Sequence, residues 1–395
     1  MTGRERLLLA VLLCGSAMTA LVLVVLIPVL PLLAQSFGGG TSGAQLSQAV
    51  MTAPALGLIA GGLLSAAAVR MVGTYRLLIA GLVLYGISGS AGYFLSAAPS
   101  LLGVRFVLGI AASFVGIAST ALIAGRFDSV ARAKFLGIKG ALGSVGGIGG
   151  ILIGGYLGSL GGWRLPFLLY AIAFVMLGLA WLTRGEGFVR TDAAREVTPV
   201  PAKPAPGLLA LWPFYAAIVA FGVVLMMTTT QLSFLLGEIG ISDPTAVSRI
   251  AVMASVGAMI GGFGYGRLAA LIGLQQILPL VFAIWTIGLM MLGFSYSGLV
   301  AAIGCSVTGV AAGLFLPHMI TTLAETASDE QRDRAIAMLY SAIFLGDFLN
   351  PLLIEPMTVV LTRHGAFLAV GGFTLLAFFV SLYRMTRERR RLATG

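Results

Sequence analysis

The chain has 395 residues, of which 58% are hydrophobic and only 10% charged, and its mean hydropathy is +1.03. A soluble domain carries roughly a quarter of its residues charged, so this composition excludes a typical soluble protein and indicates an integral membrane protein. The net charge of +10 is therefore expected to reflect membrane topology and not nucleic-acid binding.

Twelve apolar runs are about as long as the ~20 residues that a helix needs to cross the hydrocarbon core. They are continuous and not made of short alternating segments, which favours helices over a β-barrel. In chain order the predicted spans are 7–34, 44–69, 76–97, 100–124, 135–159, 164–183, 208–237, 247–271, 276–296, 299–324, 333–360 and 365–384. The sequence therefore predicts an all-α membrane protein with 12 transmembrane helices.

A polar interval separates the sixth span from the seventh. Residues 184–207 contain four prolines among mixed charges and are predicted to form a cytoplasmic linker on the membrane surface. The predicted organisation is an N-terminal six-helix bundle (1–183), this linker, and a C-terminal six-helix bundle with a basic cytoplasmic tail (208–395).

The basic residues are distributed unevenly between the two sides of the membrane. Arg164, Arg249 and Arg363 fall in connections on one side, and nearly all the other Lys and Arg residues fall on the opposite side. The opposite side includes the cluster Arg126, Arg132, Lys134 and Lys139, and the tail from Arg384 to Arg391. The positive-inside rule therefore predicts that both termini are cytoplasmic, with the tail serving as a topological anchor or contacting anionic lipid.

Several kinds of site are not expected in this chain. Cys14 and Cys305 both lie in predicted spans, so neither a disulfide framework nor a CxxC metal site is expected. No nucleophile–base set, Walker loop or HExxH motif is present, so we predict no enzyme activity, no metal site and no cofactor. The first apolar run, 7–34, is too long for the core of a cleavable signal peptide.

An offset of 200 residues relates the two halves of the chain. Gly57 and Gly73 bracket one glycine-rich segment, and Gly257 and Gly273 bracket a similar one. Further matches at the same offset are Gly61-Gly62 with Gly261-Gly262, Gly109-Ile-Ala-Ala with Gly309-Val-Ala-Ala, and Arg132 and Lys134 with Arg332 and Arg334. The offset predicts two parallel, pseudo-symmetric six-helix bundles related by an axis along the membrane normal, with a cavity between them.

Two motifs in this frame resemble those of the major facilitator superfamily, and the resemblance covers essentially the whole chain. The segment LLGVRFVLGIAAS resembles that family's Arg-x-x-x-Gly motif, with Arg105 and Gly109 at its fixed points. The segment GALGSVGGIGGILIGGYLGSLGG resembles the glycine-rich motif of proton-driven antiporters, and the turn Trp163-Arg164-x-x-Phe167 follows it. The resemblance implies transport of a small molecule by alternating access of the two halves.

The chain departs from the family pattern in two places. Ile151 stands where the antiporter motif has a proline, and Arg70 stands where the loop after the second span normally has an aspartate. The fold implied by the resemblance does not depend on these positions. The family's gating contacts do depend on them and are not carried over.

Asp347 is the most informative polar residue of the predicted spans. It lies about 20 Å into a ~30 Å core at helical rise, where a charge costs a few kcal/mol. Tyr340, Phe344, Asp347 and Pro351 follow a spacing of three to four residues and share a face, and Asn350 lies beside them. A carboxyl at this depth could load and release protons, hold a cationic group, or simply bond a neighbouring helix. We predict proton coupling at Asp347 and substrate contacts from Tyr340, Asp347 and Asn350.

Two further ionisable residues accompany Asp347 in the second half. Because histidine as a residue type titrates near neutrality, His318 is a second candidate for proton coupling, although it could equally bond a carbonyl freed by Pro317. Its depth differs from that of Asp347, so the two are not expected to form a direct pair. Glu355 is expected near the outer interface and half solvated.

Arg105 keeps its charge in any environment and must therefore find acceptors inside the membrane. The resemblance implies an acidic partner in the first span, but that span has no acidic residue. The remaining alternatives are an anionic group of the substrate, or backbone carbonyls and water. Thr230 and Gln231 supply further hydrogen-bonding groups at mid-depth and are also predicted to contact substrate, although such residues can instead bond carbonyls of their own helix.

Glycines at small-xxx-small spacing are predicted to let helices pack closely. The residues predicted to serve packing or gating are Gly146, Gly147, Gly150, Gly154 and Gly155 of the fifth span, together with Gly73 and Gly273.

The predicted protein is a multi-pass secondary transporter of a bacterial inner membrane. It is expected to export a small, fairly hydrophobic organic molecule by proton antiport, and to act as a monomer in contact with lipid. The alternatives are uptake of a small metabolite by proton symport or uniport and, more remotely, a non-transporting membrane sensor or lipid-handling protein.

Overall fold

The computed structural model describes residues 3–183, 212–326 and 332–394, and the predicted linker lies outside these ranges. Within them all regular structure is helical. The α-helices before the linker are α1 (Gly3–Val24), α2 (Leu30–Ser36), α3 (Gly40–Val72), α4 (Thr74–Ala91), α5 (Ala98–Arg126), α6 (Ser129–Gly161) and α7 (Ile172–Leu182). Those after it are α8 (Trp212–Glu238), α9 (Pro244–Ile272), α10 (Leu274–Gly293), α11 (Gly298–Thr326) and α12 (Arg332–Thr394). Short 3₁₀ segments lie at Ile27–Val29 and Gly162–Ala171.

Nine helical stretches of the described chain are long and apolar enough to cross a membrane. Two of them, Ser129–Leu182 and Arg334–Arg387, have 54 residues each, which is about 80 Å at helical rise and more than twice a ~30 Å core. The first contains the 3₁₀ segment Gly162–Ala171, and the second is broken at Thr362, whose φ is 64°. If each of these two stretches crosses the membrane twice, the nine stretches make eleven crossings. The 18-residue α4 would add a twelfth. The number twelve therefore stays a prediction.

The chain divides into two compact units, Met1–Ala205 and Pro206–Gly395, of which residues 3–183 and residues 212–326 and 332–394 are described. In the first unit α1 packs against α5 and α6, and α3 packs against α5. In the second unit α12 packs against α8 and α10, and α9 packs against α11. Among the described residues, each unit has its own buried interior.

The offset of 200 residues recurs in the helix boundaries and in the backbone. The helices α3 and α9 end before Gly73 and Gly273, whose φ angles are 85° and 84°. Glycine adopts this left-handed region without the steric cost that a side chain would add. The structure thus gives these two glycines, predicted to serve packing or gating, the same role of ending a helix at its tight turn.

The closest helix contacts follow the same offset. A Cβ atom added to Gly57 or to Gly257 would lie 2.1 Å from a carbonyl oxygen, that of Phe106 in α5 and that of Ser306 in α11 respectively. Such distances are below any real Cβ contact, so the backbones of α3 and α5, and those of α9 and α11, touch directly. Close approach of this kind is the usual use of glycine between membrane helices.

The glycine-rich face of α6 lies against α1. A Cβ on Gly146 would lie 2.5 Å from Cβ of Ala17, and one on Gly154 would lie 2.4 Å from the carbonyl oxygen of Val25. Gly150 approaches Leu21 in the same way, and Gly147 and Gly155 are buried beside it. The α6 glycines predicted to serve packing therefore lie at or beside this interface.

Candidate functional site

Asp347 occupies the interior of the second unit. The residue is 3% exposed, and its Oδ1 atom has no hydrogen-bond partner among the described residues. Next to it, Gly346 lies against Gly222 of α8, where an added Cβ would be 2.7 Å from the Cα of Gly222. Pro351, four residues further on, has no N–H to donate to the carbonyl of Asp347. The backbone carbonyl oxygen and the Oδ1 atom of Asp347 therefore both lack a hydrogen-bond donor from the helix itself.

Burial increases along the face that Asp347 shares with its predicted neighbours. Tyr340 is 39% exposed, Phe344 is partly buried, and both Asp347 and Pro351 are buried. The face therefore runs from an accessible end at Tyr340 to an enclosed carboxyl group.

Asn350 and Thr230 bond to one another and not to an open surface. Asn350 Nδ2 donates to the carbonyl of Val223 at 2.7 Å, and Thr230 Oγ1 donates to Asn350 Oδ1 at 2.7 Å. Both residues are fully buried. Their contacts tie α12 to α8, so the substrate contacts predicted for them remain predictions that this geometry does not favour over helix packing.

Gln231 belongs to a charged cluster with Glu238, Glu355 and Arg363. Arg363 Nε lies 2.9 Å from Glu238 Oε1, and its Nη2 lies 3.3 Å from Glu355 Oε1. Gln231 Oε1 accepts from Arg363 Nη1 at 2.5 Å, while Gln231 Nε2 donates to Glu355 Oε2 at 3.1 Å. Glu355 is 1% exposed, so the expectation of a half-solvated carboxylate is wrong.

The physical reason for this correction lies in the break at Thr362. The non-helical φ there ends one helical run and starts another, and the next residue, Arg363, reaches Glu355 eight positions back. Sequence reasoning missed the cluster because it placed Arg363 in an exposed connection. The opposite charges of Glu355 and Arg363 near the ends of adjacent spans were the available signal.

His318 lies in α11 with its Nδ1 atom buried and without a hydrogen-bond partner in the described chain. The ring of Tyr265 in α9 lies against it, with centroids 6.3 Å apart, and the Tyr265 hydroxyl also has no partner among the described residues. No hydrogen bond joins His318 to Asp347 within those residues. Tyr265 is a candidate that sequence reasoning missed, and nothing in its local sequence distinguishes it.

Arg105 is fully buried in the first unit and bonded on every side. Its Nε donates to the carbonyl of Val50 at 3.0 Å, and its Nη1 donates to the Tyr170 hydroxyl at 2.6 Å. Its Nη2 donates to the carbonyls of Val22 at 2.7 Å and Met51 at 3.2 Å. Four of the five guanidinium N–H groups are thus used inside the unit.

Two helix defects explain why these carbonyls are available. Pro54 has no N–H, so it cannot donate to the carbonyl of Val50 four residues earlier, and Arg105 donates in its place. Val22 lies in the last turn of α1, whose carbonyls have no partner within the helix. These contacts match one of the two alternatives considered for Arg105, namely hydrogen bonding to backbone carbonyls. The predicted contact of Arg105 with substrate remains untested.

Lys139 lies in α6 and is buried, whereas Arg132 and Lys134 of the same predicted basic cluster lie at exposed positions of that helix. Lys139 is 7% exposed, and its Nζ donates to the carbonyl of Gly116 at 2.9 Å and to Thr120 Oγ1 at 2.5 Å. The Ser16 hydroxyl of α1 donates to the carbonyl of Lys139. The predicted fifth span, 135–159, already contained this position.

The described residues contain no group of three or more His, Cys, Asp and Glu side chains that could hold a metal ion. The titratable groups of interest are instead single residues at separate places. They are the buried Asp347 and His318 in the second unit, and Lys139 and Arg105 in the first.

The architecture defines a helical multi-pass membrane protein of two repeated units, with isolated polar groups in apolar interiors. The profile of the Major Facilitator Superfamily matches residues 12–265 and 240–394. The chain therefore belongs to the major facilitator superfamily, and membership points to a membrane transporter and not to an enzyme. No relative is found among curated proteins.

Solved structures of transporters share this fold. The nucleoside transporter NupG is 13% identical, with a TM-score of 0.73 over 96% of this chain and 99% of its own. A D-xylose–proton symporter is 16% identical, with a TM-score of 0.72 over 96% of each chain. A bacterial homologue of the human lysosomal transporter Spinster, in an inward-facing and occupied conformation, is 16% identical, with a TM-score of 0.72 over 98% of this chain and 96% of its own.

Proposed function

We propose that this protein is a proton-coupled secondary transporter that exports a small, fairly hydrophobic organic molecule through alternating access of its two units. The antiporter-like glycine-rich segment of α6 supports export, and the repeated architecture supports alternating access. The protein is proposed to work as a monomer in a bacterial inner membrane, with both termini in the cytoplasm.

The buried carboxyl group of Asp347 carries the proposal. An ionised carboxylate without a partner in an apolar interior is costly, so this position favours either a proton or a cationic ligand. A group that must be neutralised when it is enclosed, and that can ionise when it meets water, has the behaviour required of a proton carrier. His318 and Tyr265 are proposed to serve as a secondary polar site, because both have unpaired polar atoms in the same region of α9 and α11.

Uptake by proton symport is the second candidate. It is favoured by the fold shared with the D-xylose–proton symporter, in which protons and substrate move together. The two candidates differ in the direction of substrate movement relative to the proton gradient.

The test uses the purified protein reconstituted in vesicles, with the compound that stabilises it most in a thermal-shift screen as substrate. Asp347→Asn should abolish flux driven by a pH gradient, because the amide cannot carry a proton. Asp243→Asn is the matched control, since Asp243 caps α9 at an exposed position and asparagine caps equally well.

Flux that is unchanged in Asp347→Asn would contradict proton coupling at this residue. In the wild-type protein, movement of substrate against the inward proton flow supports antiport. Movement of substrate with the protons would instead establish symport.

A further inference from the structure

Lys139 is a buried cation that the proposed transport cycle does not yet use. Its ammonium group is held by two neutral oxygens of α5, the Gly116 carbonyl and the Thr120 hydroxyl. No ion pair of the described residues includes it. A charge in this position has been taken out of water without receiving a counter-charge, which is costly.

Within residues 3–183, no carboxylate is available for Lys139. Glu5 and Asp128 are the only acidic residues between positions 3 and 183. Glu5 pairs with Arg126, and Asp128 accepts from the backbone N–H groups of Val130 and Ala131 at the start of α6. Asp128 also lies eleven residues before Lys139, about 16 Å away at helical rise.

The ammonium group retains the capacity to bind one more acceptor. It has three N–H donors, and the two contacts to α5 use two of them. Thr120, which binds the ammonium group, is exposed, so the group lies beside an accessible residue of α5. Arg105, the other buried cation of this unit, already uses four of its five donors within the fold.

We propose that Lys139 binds the negatively charged group of the transported molecule, and that the substrate is therefore a monovalent organic anion such as a carboxylate. One positive charge in neutral surroundings balances one negative charge, whereas a dianion would leave a net charge buried. This proposal rests on the proposed transport function and names its substrate class. The anionic contact predicted for Arg105 is thereby assigned to Lys139.

Matched pairs of an aromatic carboxylate and its amide test the proposal on the full-length protein in detergent. The probes are benzoate with benzamide, and 2-naphthoate with 2-naphthamide, and the readout is the melting temperature as a function of probe concentration. A carboxylate should stabilise the wild-type protein more than its amide does. In Lys139→Gln its apparent affinity should fall roughly tenfold or more, as expected for loss of a charge-assisted hydrogen bond.

The control is Lys134→Gln, which removes an exposed positive charge from the same helix and should keep the preference for the carboxylate. Without ligand, Lys139→Gln should be at least as stable as the wild type, because glutamine can still donate to the Gly116 carbonyl and no charge is buried.

Three results would overturn the proposal. The first is equal stabilisation of the wild type by each carboxylate and its amide, and the second is retention of the carboxylate preference in Lys139→Gln. The third is a lower melting temperature of unliganded Lys139→Gln, because the ammonium group would then serve to stabilise the fold. Asp347→Asn separates this proposal from proton coupling. Unchanged flux driven by a pH gradient in that variant contradicts proton coupling alone, whereas a carboxylate preference retained in Lys139→Gln contradicts the anion site alone.

Discussion

At the scale of single residues, the interior polar groups fall into two kinds. Arg105, Asn350 and Glu355 are surrounded by partners that use their hydrogen-bonding capacity. Asp347 and Lys139 are buried with capacity left over. A satisfied polar group holds helices together, whereas an unsatisfied one gains free energy when a ligand or proton arrives. This difference supports the proposal that Asp347 and Lys139 act in transport.

Arg105 is accordingly expected to have a structural role, in which it holds α1, α3 and α5 together. Arg105→Ala would leave the carbonyls of Val22 and Val50 and the hydroxyl of Tyr170 without their donor, at a cost of about 1–3 kcal/mol for each buried group. The melting temperature in detergent should therefore fall strongly. Arg76→Ala, at an exposed position, should leave it unchanged.

Binding measurements distinguish this structural role of Arg105 from a role as an anion-binding site. A folded Arg105→Ala protein should lose affinity equally for carboxylate and amide probes. Normal stability combined with selective loss of the carboxylates would return the anion site to Arg105.

At the scale of the helices, glycine decides which pairs pack most closely. The pairs α3 with α5 and α9 with α11 touch through glycines at equivalent positions of the repeat. Hydrophobic attraction does not hold helices together in lipid, so close van der Waals contact must do so, and this contact requires the absence of a side chain. The positions of these glycines in the sequence therefore indicate which helices are in close contact.

The repeat predicts equal effects of one substitution in the two halves. In Gly109→Ala the new methyl group would lie 2.2 Å from the carbonyl oxygen of Pro54, and in Gly309→Ala it would lie 2.1 Å from that of Ala254. Each variant should lose about 1–3 kcal/mol, because a backbone atom cannot move aside as a side chain can. Gly103→Ala, with nothing within 4 Å of the added methyl, should be neutral.

Thermal unfolding of the three variants in detergent gives the comparison. A neutral Gly309→Ala beside a destabilised Gly109→Ala would show that the two halves do not pack alike.

At the scale of the whole molecule, the charges of the chain predict its direction through the membrane. Basic residues flank the termini and the connections predicted to face the cytoplasm. A reporter active only outside the cytoplasm, such as alkaline phosphatase, should therefore be inactive when fused after Gly395 and active when fused at Ser297. A fluorescent protein that folds only in the cytoplasm should give the opposite pattern, and activity of the phosphatase at the C-terminus would reverse the predicted topology.

The predicted spans locate the helices because a run of apolar side chains long enough to cross lipid has few other solutions. The gap between the predicted spans 333–360 and 365–384 contains the break at Thr362, but breaks inside a predicted span are not located. The first span, predicted as 7–34, is interrupted at Ile27–Val29, where Pro28 removes a donor, and the sixth begins as the 3₁₀ segment Gly162–Ala171. Hydropathy averages over a window and is insensitive to a single proline or glycine that redirects the backbone.

The sequence by itself determined the membrane class, the repeat at an offset of 200 residues, and the candidacy of Asp347, because each is a property of composition or spacing along the chain. Only the tertiary structure decided which buried polar groups are already satisfied. It showed Arg105 enclosed by carbonyls from α1 and α3, Glu355 paired with Arg363 across a helix break, and Lys139 buried with neutral partners. The reason is physical: a polar side chain is satisfied by atoms of other helices, and their positions are set by packing and not by local sequence.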